Sequence, residues 1–204
     1  MNDFTIAMAL VDYVPVLLFA AAAVLLQRDL YHKMSKGAFA LFAAGTVNIF
    51  CAGFLKATWK LLYAAGVCNF EALNNMFFPS QSIGFLLAGV GILLMLTSGK
   101  REKLYSVPPV FSGTFVFVGL MVAGLGVLDT VLCILAVKMK KPWLIAIFAL
   151  SFICSLGMGY LSSKDFAEAA MNWIAEGVNV VGQGSLLFGV YMLHKNGLED
   201  LRLD

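Results

Sequence analysis

Long apolar stretches separated by short charged breaks leave this chain few ways to fold. They run Ile6–Leu26, Gly37–Ala65, Ser80–Thr97, Pro108–Ala123, Val127–Val137, Pro142–Leu161 and Phe166–Leu193. Of the 204 residues 61% are hydrophobic and 13% charged, whereas a soluble domain holds about 45–50% and about 25%. The mean hydropathy is +0.88. Runs rich in Leu, Ala, Phe and Gly show no period-2 alternation, so the expected class is an all-α integral membrane protein and not a β-barrel. The N-terminal Met1-Asn2-Asp3-Phe4 lacks the basic region of a cleaved signal peptide, and the first stretch is expected to remain as a span.

The number of crossings turns on residues 108–137, long for one span and short for two. Arg28, Lys33 and Lys36 follow the first stretch, Lys100, Arg101 and Lys103 the third, and Lys138, Lys140 and Lys141 the disputed region. A turn at Gly124-Leu125-Gly126 would put every basic cluster on one side, together with Lys195 and Arg202; a single crossing would force Lys138–Lys141 outside. Seven spans are therefore expected, N-terminus out and C-terminus in, with six as the alternative.

Residues 1–204 form one transmembrane helical domain in which repeats are sought. Leu86-Leu87-Ala88-Gly89-Val90 recurs as Leu186-Leu187-Phe188-Gly189-Val190, Val11-Asp12-Tyr13-Val14 resembles Leu128-Asp129-Thr130-Val131, and Lys33-Met34-Ser35-Lys36 resembles Lys138-Met139-Lys140-Lys141. The order is kept but the offsets are 100, 117 and 105 residues. The pattern suggests a 3+1+3 repeat, with halves 1–99 and 127–204 joined by a span over 104–126.

The last apolar stretch carries a polar stripe that lipid would not tolerate. Asn172, Glu176, Asn179 and Gln183 are spaced four, three and four apart, which gathers them within roughly 60° of arc on a helix. Asp165 and Glu168 extend the face upstream and His194 downstream. A carboxyl such as Glu176 at the centre of a span costs at least about 2.5 kcal/mol, so it is expected to face a bundle interior or wet cavity. In the seven-span topology Asp12 and Tyr13 lie two turns below the outer surface. Asp129 opens the fifth span on the same side, Lys56, Trp59 and Lys60 end the second, and Tyr160 ends the sixth. The result is an outward-facing cavity between spans one, two and seven, with ligand-binding candidates Asp12, Tyr13, Lys56, Trp59, Asn172, Trp173, Glu176, Asn179 and Gln183. Asp12, Lys56 and Glu176 are its charged members, Asn179 and Gln183 its floor, and Tyr13, Trp59 and Trp173 its stacking groups.

Six of the nine candidates have a plainer role as well, as do several of their neighbours. Lys56 and Lys60 can snorkel to headgroups, Trp59, Trp143 and Trp173 can anchor at the interface, and Asp12 and Asp129 can cap helix ends. Asn48 fits an interhelical hydrogen bond, as do Asn172 and Gln183. The outer loop from Val67 to Phe78 reads as a short surface helix, either a lid or simply interfacial, with Pro79 setting its junction with the third span. Gly53, Gly157, Gly159, Gly177, Gly182 and Gly184 suit close helix approach or bending.

The four cysteines form no C-x-x-C pair, and Cys51, Cys133 and Cys154 are expected as small buried hydrophobes, with Cys68 exposed in a loop. Two histidines, both near boundaries, make no haem or zinc set, and no phosphate loop, nucleophile elbow or H-E-x-x-H occurs. No metal or cofactor is expected, and the net charge of +2 gives no reason to expect nucleic acid. The pattern favours a small carrier or channel for a polar or amphipathic solute. The alternatives are a ligand-binding membrane module (a sensor or a substrate-binding subunit), an intramembrane enzyme on a lipid-like substrate using Asp12 and Glu176, and a scaffold. Enzyme chemistry is the weaker reading without a nucleophile or metal signature. The partners expected are a small or lipid-like ligand, membrane lipids, and either a second copy or a cytoplasmic protein at the basic inner loops. The charge bias suits a bacterial inner membrane or a plasma membrane.

Overall fold

A computed structural model describes residues 5–97, 114–161 and 169–202, and all regular structure among them is helical. A short α1 (Ile6–Val11) leads into α2 (Tyr13–Leu30), followed by α3 (Lys36–Ala64), the short α4 (Glu71–Asn75), α5 (Phe77–Thr97), α6 (Thr114–Lys138), α7 (Leu144–Leu161) and α8 (Ala169–Lys195). Four stretches are long and apolar enough to cross a bilayer: Ile6–Lys33, Lys36–Ala64, Glu71–Thr97 and Phe117–Lys138. They make this an integral membrane protein. Helix α7 is apolar over the shorter stretch Leu144–Met158, and α8 carries the polar stripe through its 27 residues. Leu17, Val24, Ile153 and Val181 are more than half exposed, while Asp29, Ser82 and Asn172 are buried. Apolar side chains outside and polar ones inside are what a lipid solvent selects.

Local chemistry sets the helix ends. Thr5 Oγ1 accepts from the Met8 N–H and Ser35 Oγ from the Ala38 N–H, both at 3.2 Å, capping α1 and α3. Pro15 has no N–H to donate to the Val11 carbonyl, and its ring crowds that carbonyl. The break between α1 and α2 accordingly falls at Asp12. Gly66 (φ 68°) and Gly197 (φ 84°) close α3 and α8 in the left-handed region. After α6 the same role falls to Lys140 (φ 59°), where the Lys141 N–H reaches back to the Ala136 carbonyl at 2.9 Å.

Contacts along the helices give their directions. Asp12 and Glu176 meet at one end of the α2–α8 pair, and Asp29 and His194 meet at the other, at 2.8 Å. The first and last long helices are therefore parallel. Helix α3 runs against α2, pairing Val16 with Gly53 and Gln27 with Thr46. Helix α5 runs against α3, pairing Asn48 with Ser80 and Phe42 with Gly91. Helix α7 runs against α8, pairing Phe148 with Gly189 and Cys154 with Gly182, and the short connection from Lys138 to Leu144 turns α6 back into α7. Helices α5 and α6 are thus parallel, and Thr97 and Thr114 lie at opposite ends of the bundle. The long helices form a ring in the order α2, α3, α5, α6, α7, α8, which closes where α8 packs on α2.

The seven-span expectation needs correction at Gly124-Leu125-Gly126. No turn divides the chain there; α6 continues through all three residues. Gly124 instead lets α6 touch α5 backbone to backbone, since a Cβ on it would lie 2.4 Å from the Phe85 carbonyl carbon. The separate spans Pro108–Ala123 and Val127–Val137 are not found: residues 114–123 and 127–137 belong to one helix, and 108–113 lie outside the described residues. Asp129 accordingly does not open a span on the outer side but sits in the half of α6 nearer Lys138. The closest glycine contacts are also not those expected. Gly45 faces Ala88 and Gly84 at 2.3–2.9 Å for an added Cβ, whereas Gly177 faces open space. Cys51 is exposed, and Cys133 and Cys154 are half-buried instead of buried.

Candidate functional site

A cavity of about 110 Å³ opens in the ring at the Asp12 end, and all six long helices line it. The break at Asp12 carries the first charged group to its wall. Asp12 stands at the N-cap of α2, yet its side chain makes no capping bond. It meets the Lys60 ammonium instead, with Oδ2 2.5 Å from Nζ. The same ammonium donates to Glu176 Oε1 at 3.0 Å. Lys60, Asp12 and Glu176 are all more than nine-tenths buried. One cation thus serves two carboxylates in a desolvated spot, and Asp12 Oδ1 and Glu176 Oε2 have no hydrogen-bond partner among the described residues.

Lys56, one turn from Lys60 on α3, lines the same cavity but points elsewhere. Its ammonium lies 4.0 Å from the centroid of the Phe77 ring and 5.9 Å from that of Phe78, a cation–π arrangement. Phe77 and Phe78 come from the start of α5, where Pro79 occupies the first turn and no N–H is lost. Below the charged groups, Asn179 and Gln183 continue the α8 stripe into the cavity, joined by Gln81 and Ser155. Phe85, Met121 and Leu125 supply apolar wall. Beneath Gln183 the bundle is packed shut by Leu186, Val190 and Leu193.

Of the nine residues predicted, Asp12, Lys56, Glu176, Asn179 and Gln183 share the cavity. The other four are elsewhere. The Tyr13 hydroxyl pairs with Thr58 Oγ1 at 2.9 Å and its ring packs edge-on to Phe54. Trp59 donates from Nε1 to Asn69 Oδ1 at 3.0 Å and stacks on Tyr63. Trp173 is 46% exposed, on the outside of the bundle. Asn172 is buried but not part of the cavity lining. Lys60, which was not among the nine, is the lysine that holds Glu176. Gln81, Ser155 and the Phe77–Phe78 pair carried no signal in sequence, because single polar or aromatic residues are common in apolar spans. Asn48 donates to the Ser80 carbonyl at 2.7 Å, the packing role. Asp165 and Glu168 lie outside the described residues.

Among the described residues no group of His, Cys, Asp and Glu could hold a metal ion. Chemically, the cavity offers buried acceptors and an aromatic-backed ammonium. Comparison with family models, curated proteins and solved structures gave no match for this chain.

Proposed function

We propose that this protein is a membrane carrier for a small polar solute, with the cavity at the Asp12 end as its outward-facing site. One observation carries the reading. A polar cavity sits at the centre of a ring of six long helices, reached from one end and closed at the other. Carrier sites are placed in this way, near the middle of the bilayer and between two groups of helices that rock against each other. In support, α2, α3 and α5 run down, up and down through the bundle, and α6, α7 and α8 do the same. Two of the sequence matches occupy equivalent places, Leu86–Val90 with Leu186–Val190 and Lys33–Lys36 with Lys138–Lys141. Asp12 and Asp129 do not; they lie at different depths. From this we infer a duplication of three helices, α2, α3 and α5 with α6, α7 and α8, in place of halves 1–99 and 127–204 joined by a span over 104–126, because α6 runs unbroken from Thr114 to Lys138. With the first and last helices parallel, we further infer that the ends carrying Lys33–Lys36, Lys138–Lys141 and Lys195 face inside and that the cavity faces outside. A bacterial inner membrane or plasma membrane suits that orientation.

The joints of the ring fit such a movement. Helices α3, α5 and α6 touch through backbone at Gly45, Gly84, Gly89 and Gly124, contacts that resist sliding. The α2–α8 joint is held at its two ends by polar contacts, Lys60 with Asp12 and Glu176 at one and a hydrogen bond between His194 and Asp29 at the other. Opening the Asp29–His194 end while the Asp12 end closes would move the site to the other face. We assign the lid role to the short α4, which joins α3 to α5 and packs on both.

The test is solute uptake by the purified protein in proteoliposomes. Wild type is expected to accumulate substrate and Glu176→Gln to lose uptake while still folding. Equal uptake by the two would remove Glu176 from the site. Tight binding with no flux would select the ligand-binding module over the carrier.

A further inference from the structure

We propose that the ligand of this cavity is a small zwitterion with one ammonium and one carboxylate group, as in a short amino acid. The proposal rests on the cavity being a solute site. It follows from which hydrogen-bonding groups the protein leaves without partners there. Lys60 supplies one positive charge to two carboxylates. Asp12 Oδ1 and Glu176 Oε2 remain buried acceptors with no partner among the described residues, and so does Gln183 Oε1 two turns deeper. A buried acceptor without a donor is costly, and an unbalanced buried carboxylate more so. The occupant that meets this need donates hydrogen bonds to those oxygens, most strongly through a cationic donor. An ammonium group is such a donor.

The opposite requirement is set by Lys56. Its ammonium rests on the Phe77 ring, and no carboxylate of the described residues lies within ion-pair distance of it. Its N–H groups are donors that a carboxylate of the ligand can accept from, through charge-assisted bonds. Aromatic backing holds the charge in place without consuming its donors. Phe85, Met121 and Leu125 leave room for a short apolar side chain. A volume of about 110 Å³ is well below the roughly 300 Å³ at which drug-sized sites begin. A polyol could donate to Asp12 and Glu176 but offers Lys56 no carboxylate, and an inorganic anion would meet Asp12 and Glu176 with the wrong sign.

The experiment is a thermal-shift and calorimetric series on the purified full chain in nanodiscs. The probes are glycine, L-alanine and β-alanine, with L-alaninamide (ammonium only), N-acetyl-L-alanine (carboxylate only), glycerol (neither) and sodium chloride as controls. At least one amino acid is expected to raise the melting temperature and to bind about tenfold or more tightly than every control, the scale of one charge-assisted hydrogen bond. Lys56→Met, which keeps its stem against Phe77, is expected to weaken the amino acid about tenfold and leave L-alaninamide unchanged. Lys56→Gln serves as the second variant, and ligand-free melting of both reports folding. If L-alaninamide, glycerol or sodium binds as well as the amino acids, the zwitterion is wrong and the polar cavity stands. If no probe shifts the melting temperature, both are overturned.

Discussion

Replacing Lys60 by methionine tests the physical basis of the site most directly. The Lys60 ammonium lies 2.5 Å from Asp12 and 3.0 Å from Glu176, and all three side chains are at least nine-tenths buried. At 3 Å and an effective dielectric constant near 20, each attraction is about 5–6 kcal/mol. Desolvation of the three charges offsets much of that, so the triad adds little net stability over an apolar replacement of the whole. Removing only the cation is different, because two carboxylates then face each other without compensation. The expected loss is about 3–5 kcal/mol, or roughly 6–20 °C in melting temperature for a chain of this size. Melting in nanodiscs at low and high salt is the assay, and the difference is expected to persist at high salt because the groups are buried. The triple variant Lys60→Met, Asp12→Asn, Glu176→Gln should recover at least half of the loss, a strong non-additivity. If Lys60→Met melts within about 2 °C of wild type, or the triple variant is no better than the single, the triad is solvated and the desolvation argument fails.

Three further outcomes follow from the packing. Gly45→Val places side-chain atoms into the α5 backbone, where even a Cβ would approach the Ala88 nitrogen to 2.3 Å; overpacking of about 1–3 kcal/mol or more should lower the melting temperature, and an unchanged value would mean that α3 and α5 separate freely. Both oxygens of Asp129 are buried without a partner among the described residues, so Asp129→Leu is expected to stabilise the fold by about 1–3 kcal/mol, the desolvation penalty of such a group. A clear loss of stability instead would show that Asp129 is paired. Lys140 adopts φ 59°, which only glycine holds without strain, so Lys140→Gly should stabilise by about 1–2 kcal/mol, and a lower denaturation midpoint would contradict that geometry.

Much of the site was legible because its signal was local. Asn172, Glu176, Asn179 and Gln183 share a helix face by spacing alone, and the impossibility of exposing Glu176 to lipid pointed that face inward. Three of the four line or complete the cavity, and Asn172 is buried beside it. The aromatic candidates were not legible in the same way. Tyr13, Trp59 and Trp173 sit at the right depth, but depth says nothing about rotation, and each turns toward another neighbour or outward. The choice between Lys56 and Lys60 shows the same limit. They stand one turn apart on one helix, and only the crossing of α3 with α2 and α8 selects which of them reaches Glu176. Gly124 and Gly126 misled for a related reason: glycine serves both turns and close helix contacts, and the α5 backbone at Phe85 decides between the two.

The amino-acid sequence by itself determined the membrane class, the helical character and the inward face of the last helix. Each of these depends on hydropathy and on residue spacing within one segment, which the solvent reads without help from the rest of the chain. The tertiary structure alone decided that α6 is one helix, that the first and last helices run parallel, and that Lys60 bridges Asp12 to Glu176. Those outcomes depend on how close two backbones can come and on the rotation of each helix about its axis, and only the packed bundle sets either.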